Sequence, residues 1–111
     1  MNGKNNMRNI TIGIVTPCYN EELVLTETSA QLNEVISNLI KRNLISEKSF
    51  AVFVDDGSKD NTWSLIEQRT SKLNYIKGLK LAGNVGHQNA LLAGLLTFKD
   101  EADALISIDA D

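Results

Sequence analysis

Phe50-Ala51-Val52-Phe53-Val54-Asp55-Asp56-Gly57-Ser58-Lys59-Asp60-Asn61-Thr62 is an apolar run that turns acidic within one residue. Five apolar residues, Phe50 to Val54, precede Asp55, Asp56 and a glycine. A short run rich in β-branched and aromatic residues, closed by Asp and Gly, reads as a buried strand. A strand apolar on both faces suits a parallel sheet covered by helices on each side. Ligands of such sheets bind beyond the carboxyl ends of the strands, and Asp55 and Asp56 fall there. Acids in this place also have a simpler use, solvating turns and capping helices. Asp60 is the expected N-cap of the next helix, its carboxylate accepting from the N–H of Thr62 or Trp63 for about 1 kcal/mol.

The flanking segments repeat the pattern. Ile10 to Thr16 predicts a first strand, broken by Pro17 because proline cannot continue a central ladder. Glu21 and Glu22 open a helix, where acids suit the positive end of its dipole. Leu32, Val35, Ile36, Leu39 and Ile40 have the spacing of one buried helical face, and Asn43 stops the helix. After the strand at Phe50–Val54, Trp63, Ile66, Thr70 and Leu73 form the inner stripe of a second helix. Tyr75 to Leu81 predicts a third strand whose lysines and glycine place it near an edge. A glycine-bearing turn, Ala82 to Gly86, leads into a helix over His87–Phe98. Ala104 to Ile108 predicts a fourth strand that delivers Asp109 and Asp111. Strict alternation of strand and helix predicts an α/β protein with an open, mostly parallel sheet and right-handed crossovers.

Composition narrows the function. The chain of 111 residues allows one domain, and 42% hydrophobic with 23% charged residues is ordinary globular material. A net charge of -3 gives no electrostatic case for nucleic acid, and none is expected as a partner. The one cysteine, Cys18, excludes an internal disulfide and fits a reducing, cytoplasmic setting. Residues 1–9 form a polar lead-in without the apolar core of a secretory signal. The chain stops on the expected end of the fourth strand, which predicts that it is part of a longer protein.

Polar side chains recur after every strand: Pro17, Tyr19, Asn20 and Glu21, then Asp55 and Asp56, then Asn84, Gly86 and His87, then Asp109 and Asp111. Tyr19 can stack on a base while keeping its hydroxyl wet. Asp56 can accept from a base N–H or a ribose hydroxyl. Gly86 lets the backbone approach a ligand, and the helix start at His87 favours an anion. Asp109 and Asp111, two apart at a strand end, point the same way. Such carboxylates repel unless a cation lies between them, and Mg²⁺ or Mn²⁺ shared with phosphate oxygens is the economical answer. Cys18 has no histidine partner in sequence and is expected to be a bystander.

Pro17-Cys18-Tyr19-Asn20-Glu21, Val54-Asp55-Asp56-Gly57-Ser58-Lys59-Asp60-Asn61-Thr62, Asn84-Val85-Gly86-His87-Gln88-Asn89-Ala90-Leu91-Leu92-Ala93-Gly94 and Asp109-Ala110-Asp111 together resemble the N-terminal half of family-2 glycosyltransferases. The nearest branch in character is the polyprenyl-phosphate, dolichol-phosphate mannosyltransferase-like group. The resemblance implies a GT-A fold, of which residues 10–111 would be the Rossmann-like, nucleotide-sugar-binding half. It implies a UDP- or GDP-sugar donor and inverting sugar transfer to an acceptor, for this branch a polyprenyl phosphate. Pro17, Tyr19, Glu21, Asp55, Asp56, Asn84, Gly86 and His87 would line the donor site. Asp109 and Asp111 would be the metal-binding DxD pair. No catalytic base is expected within the chain, which by itself is expected not to transfer sugar. The full-length protein would be associated with the cytoplasmic face of a membrane. Many members carry an arginine immediately before the asparagine of the third motif; Gly83 stands there, so a cationic contact to the donor is missing or supplied elsewhere.

Other readings fit less well. A dinucleotide-dependent oxidoreductase needs G-x-G-x-x-G after the first strand, where this chain has Thr16-Pro17-Cys18-Tyr19-Asn20. Phosphoacceptor signalling domains place their acids after strands one and three. Transfer to a polysaccharide or glycan, and a nucleotide-binding or self-associating module without catalysis, remain as alternatives. An incomplete sheet would also expose edges through which the chain could form a homodimer.

Overall fold

The computed structural model describes residues 10–110; the lead-in over residues 1–9 and Asp111 lie outside the described residues. Strands and helices alternate as β1 (Ile12–Cys18), α1 (Glu22–Lys41), β2 (Phe50–Asp55), α2 (Thr62–Lys72), β3 (Ile76–Lys80), α3 (His87–Phe98) and β4 (Ala104–Ser107). The strands lie in the order β3-β2-β1-β4, and every pairing is parallel. This is the expected α/β architecture.

β2 is buried along its whole length, because it lies inside the sheet with helices on both faces. Alternation divides its side chains between two cores. Phe50, Val52 and Val54 join Val15, Ala90 and Phe98 beneath α3. Ala51 and Phe53 join Cys18, Leu25, Ile36, Ile66 and Ile76 beneath α1 and α2. Each such Val, Leu, Ile or Phe contributes roughly 1.5–3 kcal/mol by leaving water. The lysine-bearing β3 and the short β4 are the edges, as the composition of β3 predicted.

Differences from the sequence-based expectation are local and have physical causes. β1 runs through Pro17, which pairs with Val54. The C=O of Cys18 accepts from Asp56 N–H (2.8 Å), and that of Val15 accepts from Ile108 N–H (3.1 Å). Backbone groups alternate sides along a strand, so the N–H that proline lacks would face β4. β4 ends at Ser107, so no ladder bond is lost. In α1 the buried stripe is Leu25, Ser29 and Ile36, with Leu32 and Ile40 packed beside it. Val35 sits one residue, about 100°, off that stripe and is half exposed. Asn43 does stop the helix. It adopts φ 59, its N–H reaches Ile40 C=O (2.9 Å) and that of Leu44 reaches Leu39 C=O (3.0 Å), which is a Schellman ending. The residue before α2 is Asn61 rather than Asp60, although Asp60 Oδ1 does accept from Thr62 N–H (2.9 Å).

Gly94 sets how closely α3 approaches the sheet. A Cβ there would lie 2.6 Å from Val15 Cγ1 and 2.8 Å from Val54 Cγ2. Gly94→Val therefore has to push α3 off β1 and β2. A loss of about 2 kcal/mol is expected, read as a lower urea midpoint; an unchanged midpoint would show that α3 does not depend on this close approach.

Candidate functional site

The loops after β1, β2 and β3 and the segment after β4 converge at the carboxyl edge of the sheet. They enclose a cavity of about 400 Å³. Pro17, Cys18, Tyr19 and Glu21 line it from the first loop, and Asp56 from the second. Asn84, Gly86 and His87 line it from the third, and Asp109 and Ala110 from the last segment. Of the expected donor-site residues, the structure brings all but Asp55 to one cavity.

Asp56 ties the third loop to the end of β2. Its Oδ1 accepts from Val85 N–H (2.7 Å) and its Oδ2 from Gly86 N–H (3.1 Å). Asn84 Nδ2 donates to the C=O of Asp56 (3.2 Å). Gly57 permits this crossing. It adopts φ 69, and a Cβ there would meet Asn84 N at 2.5 Å and Gly83 C at 2.6 Å. A carboxylate at 56 thus holds two backbone donors that would otherwise be left without partners beside the cavity.

Asp55 takes a different place from the one expected. It shares the α1/α2 face of β2 with Phe53 and is 1% exposed. Its Oδ1 accepts from Ser58 N–H (3.3 Å); its Oδ2 and the Oγ1 of Thr16 have no partner. The physical reason is strand alternation: adjacent acids at a strand end point to opposite faces. Asp55 shapes the turn, and Asp56 faces the cavity.

The run from Ser58 to Thr62 was legible from sequence only as a helix start, yet it is bound to the first loop. Five hydrogen bonds join residues 58–62 to residues 20–22. Its density of Ser, Asp, Asn and Thr was the available signal, since these side chains bond nearby backbone.

After β4 the chain leaves the ladder. β4 ends at Ser107, so strand alternation does not orient Asp109, and Asp111 lies outside the described residues. Asp109 is placed instead by its neighbours. Ala110 is buried and its C=O accepts from Thr28 Oγ1 (3.2 Å). Asp109 Oδ1 lies 3.4 Å from His87 Nε2. Both side chains are open to solvent at the cavity rim.

Among the described residues the lining carries three carboxylates, Glu21, Asp56 and Asp109, and no lysine or arginine. Among the described residues of this lining no lysine or arginine takes the place left by Gly83. Among the described residues no group of three or more His, Cys, Asp or Glu could hold a metal. Asp109 nonetheless offers an exposed oxygen donor. Mg²⁺ fits such a position, since it takes one or two carboxylates and completes its shell with water and phosphate oxygens. Cys18 is no nucleophile here. Burial pushes its thiol well above the usual range, the charges of Glu21 and Asp55 add to this, and Sγ donates to Thr16 C=O (3.5 Å).

Asp60 anchors the joined loops electrostatically. Burial pushes its carboxyl up, but hydrogen bonds from the Thr62 hydroxyl and N–H and from Glu22 N–H outweigh it and hold the group below its ordinary value. A carboxyl depressed in the folded state adds stability that is full above its unfolded value, about 3.9, and is lost as pH falls through the folded value. Asp60→Asn should therefore cost about 1 kcal/mol at pH 7, with a smaller difference from the wild type at pH 3. Urea unfolding at both values checks this; an equal difference at the two pH values would contradict it.

The family model for glycosyl transferase family 2 matches residues 13–111. An uncharacterized glycosyltransferase, YkoT of Bacillus subtilis strain 168, is 58% identical over 98 residues, covering 88% of this chain and 29% of the relative. The undecaprenyl-phosphate 4-deoxy-4-formamido-L-arabinose transferase of Shewanella sediminis is 32% identical over 114 residues, covering 97% of this chain and 30% of that protein. Among solved structures, S. aureus TarS 1-349 in complex with UDP superposes with a TM-score of 0.66 at 25% identity, covering 92% of this chain and 28% of that one. The chain thus spans less than a third of the length of these relatives. The sheet is the Rossmann-like half of a GT-A fold, and the chain belongs to glycosyl transferase family 2.

Proposed function

We propose that the cavity at the carboxyl edge binds the nucleoside diphosphate of a sugar donor, and does so through a divalent cation. The observation that carries this reading is the lining, which among the described residues holds three carboxylates and no lysine or arginine. Two unit charges 4 Å apart repel by about 4 kcal/mol at an effective dielectric of 20. A diphosphate entering this cavity meets several such repulsions, and a cation held by Asp109, with Asp111, would reverse them. Tyr19, 39% exposed, offers a ring face for the base. Asp56 holds the third loop against the same cavity, and His87 stands beside Asp109 within reach of a phosphate or sugar oxygen.

In transfer, an acceptor oxygen attacks the sugar's anomeric carbon as its bond to the diphosphate oxygen breaks, with inversion. The cation, when bound, stabilises the charge developing on the leaving diphosphate. The residues of this chain hold base, ribose and diphosphate still while that bond breaks. Because the chain spans less than a third of its relatives, the acceptor site and catalytic base are proposed to lie outside it, and the chain alone is proposed to bind donor without transferring sugar. A polyprenyl phosphate acceptor is supported by the relative named as an undecaprenyl-phosphate 4-deoxy-4-formamido-L-arabinose transferase; action at a cytoplasmic membrane face is part of the same proposal. Among the described residues no helix is long and apolar enough to cross a membrane.

Ligand binding to the folded state raises its stability, by about 2.7 kcal/mol at a hundred times Kd. Melting should be measured with UDP, GDP, UDP-glucose and GDP-mannose, each with and without Mn²⁺. One base class is expected to raise the melting temperature, with most of the rise requiring Mn²⁺ and disappearing in Asp109→Asn. No shift with any nucleotide, or an equal shift without the cation, would refute the proposal.

A further inference from the structure

Ser58, Asp60 and Thr62 do not line the cavity, yet they hold the segment that does. Thr62 is completely buried. Its hydroxyl accepts from Glu21 N–H (2.9 Å) and donates to Asp60 Oδ1. The other carboxylate oxygen, Asp60 Oδ2, accepts from Glu22 N–H (3.4 Å). Asn61 N–H returns a bond to Glu22 Oε1 (2.9 Å). Asn20 is gripped from both ends: its N–H donates to Ser58 Oγ (2.8 Å) and its Oδ1 accepts from Lys59 N–H (2.9 Å).

Asn20 has φ 53, a left-handed conformation that costs on the order of 1 kcal/mol for a residue with a side chain. Such a conformation persists where its surroundings impose it. Asn20 lies between Tyr19 and Glu21, both of which line the cavity. The direction in which those two side chains leave the backbone is therefore set by residues about forty positions later in the chain.

We infer that Thr62 and Asp60, with Ser58, are positioning residues for the nucleotide. They act by fixing the Tyr19–Glu21 segment before the ligand arrives. The inference rests on the reading of the cavity as a nucleotide site. A loop already held in its binding conformation loses less freedom on association, and the saving appears as affinity. A purely structural strap, joining α1 to α2, would move stability and leave affinity alone.

Thr62→Val keeps the shape and removes both hydroxyl hydrogen bonds, whereas Thr62→Ser keeps the hydroxyl. UDP and GDP should be titrated by calorimetry in Mn²⁺, at a temperature where urea curves show each variant folded. The better-bound nucleotide is expected to lose about fivefold in affinity in Thr62→Val and to stay within about twofold of the wild type in Thr62→Ser. Wild-type affinity in a folded but less stable Thr62→Val would overturn the inference. Should that variant not fold, Ser58→Ala decides. It removes a single bond at the exposed edge of the loop, and about a threefold loss with an unchanged unfolding midpoint is expected. Unchanged affinity there would equally overturn it. A wild type that binds neither nucleotide would instead remove the nucleotide-site reading, before any variant is compared.

Discussion

Asp56 is the residue on which the site depends. It follows a strand with no solvent-facing side chain, and both of its carboxylate oxygens are taken by backbone N–H groups from a loop some thirty residues later. Hydrogen bonds to an ionised group are among the stronger ones, and Asp56 itself is buried. They join the end of β2 to the start of α3. The close contact of Gly57 with Gly83 and Asn84 leaves the two loops only this arrangement. Without the carboxylate, Val85 and Gly86 would lose their partners and the third loop its register against the cavity.

The first loop is fixed in a comparable way by a different part of the same motif. Ser58, Asp60 and Thr62 bond to Asn20, Glu21 and Glu22. The stretch after β2 thus reaches in two directions, to the loop after β1 and to the loop after β3. That explains why so short a segment is dense in small polar residues. Its side chains are mostly occupied in holding backbone, and the groups turned toward the cavity come largely from neighbouring loops. The wall so assembled is acidic, which is the physical ground for the proposal that an anionic donor binds there together with a cation.

Much of this architecture was legible in the chain. The apolar run Phe50–Val54 and the alternation of periodicities identify a parallel α/β sheet, because burial on both faces leaves no polar position in the strand. The edge character of β3 followed from its lysines. Asp55 was misplaced because the two acids look equivalent in sequence, whereas strand alternation sends them to opposite faces. Pro17 was read as a strand breaker because its tolerance depends on where β4 ends, which is a property of the neighbouring strand. Val35 was assigned to the buried face of α1 although it lies about 100° from the stripe that Leu25, Ser29 and Ile36 define. The density of small polar residues over 58–62 signalled backbone-bonding side chains, but their partners at residues 20–22 were not legible, because spacing reports only local structure.

The carboxyl edge of the sheet is proposed to receive the donor in preference to the other hollow among the described residues. A second hollow, at the opposite edge, is lined by Glu47, Lys48, Asn74 and Lys77 among others, and it provides an internal control. An amide NMR titration of the ¹⁵N-labelled protein with the nucleoside diphosphate and Mg²⁺ separates the two. The account predicts shifts concentrated at Tyr19, Glu21, Asp56, Val85, Gly86 and His87, with Glu47, Lys48, Asn74 and Lys77 unmoved. Shifts centred on the opposite edge, or none at millimolar nucleotide, would contradict it.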